Sequence, residues 1–190
     1  MKTIYIFIVA IFLIISKPIY CETTPKFMLN VGYDIGGKHD VSLVGISGSE
    51  DVENSVSVGG EIYIPQKNYE WGLGVEYQIP REQKNIEGSF SFIPIYSVGR
   101  FFLQKQNSEE NRGFILFTRV GYNLFNGEKE YKGSASLDGG IYYAGGIGFV
   151  ANNKLSFNVI YEVLNGTFDI LNYKGDIDYS KFSICLGYRL

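Results

Sequence analysis

Histidine and tryptophan each occur once in the 190 residues, methionine and cysteine twice, and proline five times. One imidazole, His39, cannot make a zinc site with Cys/His spacing, and no paired carboxylates suggest acid–base chemistry. Lysine and arginine form no basic cluster and the net charge is −3, which argues against nucleic acid as a partner. Beyond residue 15, no apolar run approaches the ~18 residues that a membrane helix needs. Gly145 to Gly148 is glycine-rich but leads into no helix, so it is not a nucleotide fingerprint. No cofactor is expected. What the chain has in quantity is Tyr 15, Phe 14 and Gly 23, a mixture that favours β structure.

The first residues read as a secretory leader. Lys2 supplies the positive start, Ile4 to Ile15 the short apolar stretch, and Ser16-Lys17-Pro18 the break before Cys21. Cleavage after Cys21 makes residues 1–21 a signal peptide and 22–190 one barrel domain; lipidation of Cys21 is the alternative. Loss of Lys2 and Lys17 takes the net charge from −3 to −5. Cys185 then stands alone, so no intrachain disulfide is expected.

The last eleven residues are the most informative. Phe182, Ile184, Leu186, Tyr188 and Leu190 fall on one face of a strand, with Ser183, Cys185, Gly187 and Arg189 on the other. The same alternation predicts eight strands: Lys26–Gly36, Ser55–Pro65, Tyr69–Ile79, Ser89–Leu103, Gly113–Leu124, Gly140–Ala151, Lys154–Val163 and the C-terminal strand. In the fourth, Phe90 and Phe92 share a face, but beyond Pro94 the apolar set is Ile95, Phe101 and Leu103. A bulge at Pro94 would absorb that slip. Long polar links at 37–54, 126–139 and 164–178 and a medium one at 80–88 mostly alternate with tight connections. The short ones are Pro65–Asn68, a charged turn at Gln104–Arg112 and a two-residue hairpin at Asn152-Asn153.

One phase is almost continuously Phe, Tyr, Leu, Ile and Val, and the other is Gly, Ser, Asn, Glu and Arg. A soluble ligand-binding barrel requires the reverse arrangement, so the bulky phase is assigned to lipid. The expected fold is all-β: an eight-stranded antiparallel transmembrane up-and-down β-barrel preceded by a cleaved signal peptide. Glu61, Glu76, Arg100, Arg119, Glu162 and Arg189 then point inward, with Asp34 and Glu70 nearer strand ends. Charges in low dielectric are costly unless paired, so these form a candidate lumen network; weak pairing at watery rims is the alternative. Tyr69, Trp71, Tyr77, Tyr122, Tyr161 and Tyr188 are candidate interfacial aromatics.

Three segments carry a family resemblance. Pro94 to Leu103, with its proline and later basic–aromatic pair, resembles the fourth strand of the small OmpA/OmpX-like outer-membrane barrels. Gly139 to Val150, followed by Asn152-Asn153, is similar to their sixth strand and turn, and Leu155 to Glu162 to their seventh. Leu190 departs from the phenylalanine that usually ends the family. The alternation of long and short links puts both termini in the periplasm, and the resemblance implies a bacterial outer-membrane location. Its implied partners are outer-membrane lipid, the barrel assembly machinery, and a host or surface ligand at the loops. The favoured reading is a non-enzymatic barrel that anchors extracellular loops 37–54, 80–88, 126–139 and 164–178 for envelope integrity, adhesion or host-factor contact. Alternatives are a small-conductance pore, a lipid-modifying enzyme using His39 beside Asp40 and Ser42 in the first loop, and a soluble ligand-binding barrel.

Overall fold

The computed structural model describes residues 24–43, 46–66, 68–83, 86–103, 113–128, 135–152, 154–170 and 173–190. The expected signal peptide and the Gln104–Arg112 turn lie outside those residues. Ten strands follow one another: β1 (Lys26–Leu43), β2 (Ile46–Asp51), β3 (Ser55–Pro65), β4 (Tyr69–Gln78) and β5 (Arg81–Gln83), then β6 (Ile86–Phe102), β7 (Gly113–Gly127), β8 (Ser136–Val150), β9 (Leu155–Ile170) and β10 (Tyr173–Arg189).

Eight of them close a ring. β1 pairs with β3 on one side and β10 on the other, and every neighbouring pair is antiparallel. The two extra strands prolong the wall: β2 pairs with the far half of β1 and β5 with the far end of β6. Closure needs stagger. A row of paired residues from Lys26 runs through Tyr63, Gly72, Val98, Arg119, Ala144 and Glu162 to Lys181. Lys181 precedes Phe182, the partner of Ile35, so the row meets β1 again beside Gly36, ten residues beyond Lys26. The strands are therefore strongly tilted.

The bulky phase faces outward. Phe27, Leu29, Val31, Tyr33 and Ile35 on β1 are exposed, as are Phe182, Ile184, Leu186, Tyr188 and Leu190 at the C-terminus. Tyr69, Tyr77, Tyr122, Tyr161 and Tyr188 are exposed with them, and Trp71 is partly so.

Four expectations change. The segments predicted as long links are largely strand: β1 runs on to Leu43 and turns back as β2, while β9 and β10 extend to Ile170 and from Tyr173. Segment 126–139 gives its two ends to β7 and β8, and segment 80–88 holds β5 and the start of β6. No bulge interrupts β6 against β7, whose register runs unbroken from Phe90↔Gly127 to Phe102↔Ile115. Phe90, Phe92, Pro94 and Arg100 therefore share the inward phase, and both phenylalanines are buried. The β8–β9 turn is also longer than two residues. Ala151 N donates to Leu155 O, enclosing 152–154, and Asn152 Oδ1 accepts from the backbone of Lys154 and Leu155; Asn153 itself is outside the described residues.

Glycine in the inner phase allows close strand approach. A Cβ at Gly121 would overlap Ile95 O and lie 2.6 Å from Tyr96 Cα. Gly121→Ala should cost about 1–3 kcal/mol of barrel stability, measured by urea unfolding in lipid vesicles.

Candidate functional site in the barrel lumen

The inner phase of the strands holds ten buried ionic side chains among the described residues. Asp34, Glu61, Glu70, Glu76 and Glu162 are matched by Arg81, Arg100, Arg119, Lys181 and Arg189. Burial of a carboxylate is tolerable only when donors replace its water. Glu61 has four. Its Oε1 accepts from Tyr96 OH at 2.8 Å and Arg119 NH2 at 2.8 Å, and its Oε2 from Arg100 NH2 at 3.1 Å and from Tyr63 OH.

From Glu61 the pairing spreads across the lumen. Arg119 NH1 reaches Glu76 Oε2 at 3.2 Å. Lys181 Nζ lies 3.6 Å from Glu76, 3.4 Å from Glu162 and 2.8 Å from Asp34. Asp34 also accepts from Arg81 at 2.7 Å and from the Ser57 and Ser183 hydroxyls. Glu162 accepts from Tyr142 OH at 2.8 Å. Arg189 pairs with Glu70 at 2.6 Å, and its guanidinium lies 5.8 Å from the ring centroid of Tyr63. Aromatic faces cover the guanidinium groups: Arg100 lies 4.2 Å from the Tyr63 ring centroid and Arg119 4.6 Å from that of Tyr96.

The structure thus joins Glu61, Glu76, Arg100, Arg119 and Glu162 through Lys181, and pairs Arg189 with Glu70 beside Tyr63. Sequence reasoning missed Lys181 and Arg81. Lys181 lies within the last eleven residues and shares the phase of Ser183 and Cys185, so counting it with them on the inward face would have found it. Arg81 sits beyond Ile79-Pro80, where strand pairing is interrupted, and no alternation marks it.

A second, apolar layer fills the hairpin end of the lumen. Phe92 stacks on Phe125 at 4.5 Å and on Tyr179 at 5.9 Å, while Phe90 meets Tyr179 edge-on at 5.8 Å. His39 belongs to this layer, its ring 5.1 Å from Phe90. It is part of β1, not a loop, and only 1% exposed. Asp40 and Ser42 point the opposite way, into solvent. This alternation separates the imidazole from the groups that a hydrolytic dyad would require. At the turn end, a recess lined by Met28, Arg100, Lys154, Ser156 and Arg189 has no room for a water molecule.

A closed antiparallel barrel with an apolar exterior and a polar, filled interior defines a transmembrane β-barrel. No family model matches the chain, and no curated protein is similar to it in sequence. Solved structures are similar in fold. Neisserial surface protein A is 12% identical with a TM-score of 0.50, over 85% of this chain and 96% of that one. OprG from Pseudomonas aeruginosa is 14% identical at 0.49, over 88% and 97%. Ail of Yersinia pestis is 12% identical at 0.41, over 90% and 100%. The fold is that of the small outer-membrane barrels of the OmpA/OmpX-like kind.

Two measurements probe the lumen. Arg119→Ala leaves Glu61 and Glu76 without a shared cation and should destabilise the barrel by about 3–5 kcal/mol. Unchanged thermal stability together with unchanged conductance would remove the network from any structural role. His39 lies beyond the apolar band, and burial lowers its pKa from 6.5 to about 4, against an opposing pull from Asp40. The unfolded chain takes up that proton first. Stability should therefore be full above pH 6.5 and fall by about 3 kcal/mol as the pH drops towards 4. His39→Phe should flatten that part of the unfolding profile.

Proposed function

We propose that the chain is a non-enzymatic bacterial outer-membrane protein whose barrel anchors β-hairpins for contact outside the cell. The observation that carries this reading is a change of surface along each strand. β1 is apolar on its outer face to Ile35, then presents Lys38, Asp40 and Ser42. β10 presents Asp178 and Asp176 before its apolar run begins at Phe182. Strands that leave the hydrocarbon and continue in water put a rigid, polar sheet surface above the membrane, and such surfaces position binding groups better than flexible loops.

The short-turn end, which also holds Lys26 and Leu190, faces the periplasm in this reading, as the barrels of this fold class have short periplasmic turns. The assembly machinery would take up the terminal strand through Phe182, Ile184, Leu186, Tyr188 and Leu190. The ionic network and the aromatic layer seal the lumen, which favours an anchor over a general pore. Outer hairpin faces carrying Asp40, Asp51, Glu53, Asp176 and Asp178 suit partners with basic surfaces, supporting adhesion or host-factor contact.

Separated membranes and intact cells test the proposal. The protein should appear in the outer-membrane fraction with a gel mobility that changes on boiling, and protease added to whole cells should cut within the hairpins alone. A soluble periplasmic protein with one mobility would overturn it.

A further inference from the structure

Two breaks in the wall of the ring fall within one residue row of each other. The β4–β6 ladder ends at Val75↔Ile95 and resumes only as β5, at Arg81↔Phe90. The β7–β8 ladder ends at Asn123↔Gly140. On the ladder that joins β6 to β7, Ile95 pairs with Tyr122 and Pro94 with Asn123. Beyond this row, β5, β6 and β7 form a three-stranded sheet that, among the described residues, has no ladder to either flank. The opposite wall remains continuous through β8, β9, β10, β1 and β2.

Proline marks both ends of the first break. Pro94 cannot donate to β4, and Ile79-Pro80 separates β4 from β5. The sheet can therefore rotate about the Pro94–Asn123 row without breaking ladder hydrogen bonds. Among the described residues, Asn123 Nδ2 at the hinge row donates to Asn165 O on β9 at 2.8 Å, Phe125 lies against Gly166, and further contacts hold the sheet closed. Phe90 and Phe92 pack on Tyr179, and Phe90 on His39. A backbone bond crosses the rim, Glu53 N to Glu82 O at 3.2 Å. Arg81 makes a polar contact: NH2 donates to Asp34 Oδ2 at 2.7 Å and NH1 to Tyr179 OH at 2.7 Å, joining the sheet to β1 and β10.

We propose that this three-stranded sheet is a hinged flap latched by Arg81, and that its outward swing opens the lumen to water from the hairpin side. The closed lumen is then one state of a gate. Opening breaks the Arg81–Asp34 pair and side-chain contacts such as those of Phe90, Phe92 and Phe125, but not the barrel ladder, so local opening can occur without global unfolding.

Cys185 is a native reporter, buried on β10 inside the lumen. The experiment measures its alkylation by iodoacetamide in the full chain carrying Cys21→Ser, extracted from membranes, with folding checked by gel mobility before boiling. Arg81→Ala should raise the rate about tenfold or more over the Cys21→Ser protein. Tyr179→Phe, which removes only the hydroxyl, should raise it less, and carries the test if Arg81→Ala fails to fold. Cysteines replacing Glu53 and Glu82, oxidised to a disulfide across the rim, should return the Arg81→Ala rate to the slow value until reduced. With Tyr179→Phe in place of Arg81→Ala, the same disulfide should act likewise. Equal rates in latched and unlatched proteins, or labelling that the rim disulfide leaves unchanged, would overturn the flap.

Discussion

Glu61 is the group on which the interior depends. It lies on β3, and its four donors come from β3, β6 and β7, so one carboxylate ties three strands of the wall together inside the lumen. Removing water from such a group is tolerable only when every lone pair is used, and the tilt of the staves makes that feasible. Arg119 and Lys181 are distant in sequence but occur on one row of paired residues. The remaining pairs follow from this placement. Arg119 carries the pairing to Glu76, and Lys181 carries it on to Glu162 and Asp34.

A barrel of this width has no separate core and cavity. Side chains in the inner phase must fill the lumen themselves, which explains both its aromatic layer and its glycines. Tyr63, Tyr96 and Tyr142 serve twice: their hydroxyls satisfy carboxylates, and the rings of Tyr63 and Tyr96 lie against guanidinium groups. Arg81 joins the ionic layer to the aromatic one, because its two terminal nitrogens bind one member of each.

The eight strands of the ring and the direction of most of their side chains were legible in the sequence, since alternation is local, whereas the short β2 and β5 were not. Ser55–Pro65 even matched to the residue. The hairpin extensions were not legible, because apolar residues change faces where the surroundings change from lipid to water. Along β6, Ile95 and Phe101 are apolar and outward, whereas Phe90 and Phe92 are apolar and inward. That exchange imitates a register slip, and a bulge at Pro94 was the natural inference. Phe168, Ile177 and Phe125 follow the same exchange in segments rich in polar residues. The partners of each inner charge were equally hidden, since they depend on the stagger of the closed ring and not on any one strand.

The exchange of faces also acts as a depth gauge. On β1 the outward apolar series ends at Ile35, on β7 at Leu124, and on β10 at Phe182, with the inward series taking over at His39, Phe125 and Tyr179. These marks trace a single collar around the molecule. Sliding the barrel along the membrane normal by even one pair of residues would put Lys38 or Asp178 into hydrocarbon, or lift Ile35 and Phe182 into water. The height of the hairpins above the bilayer is thereby set by the chain itself, and whatever meets them does so at a fixed distance from the lipid.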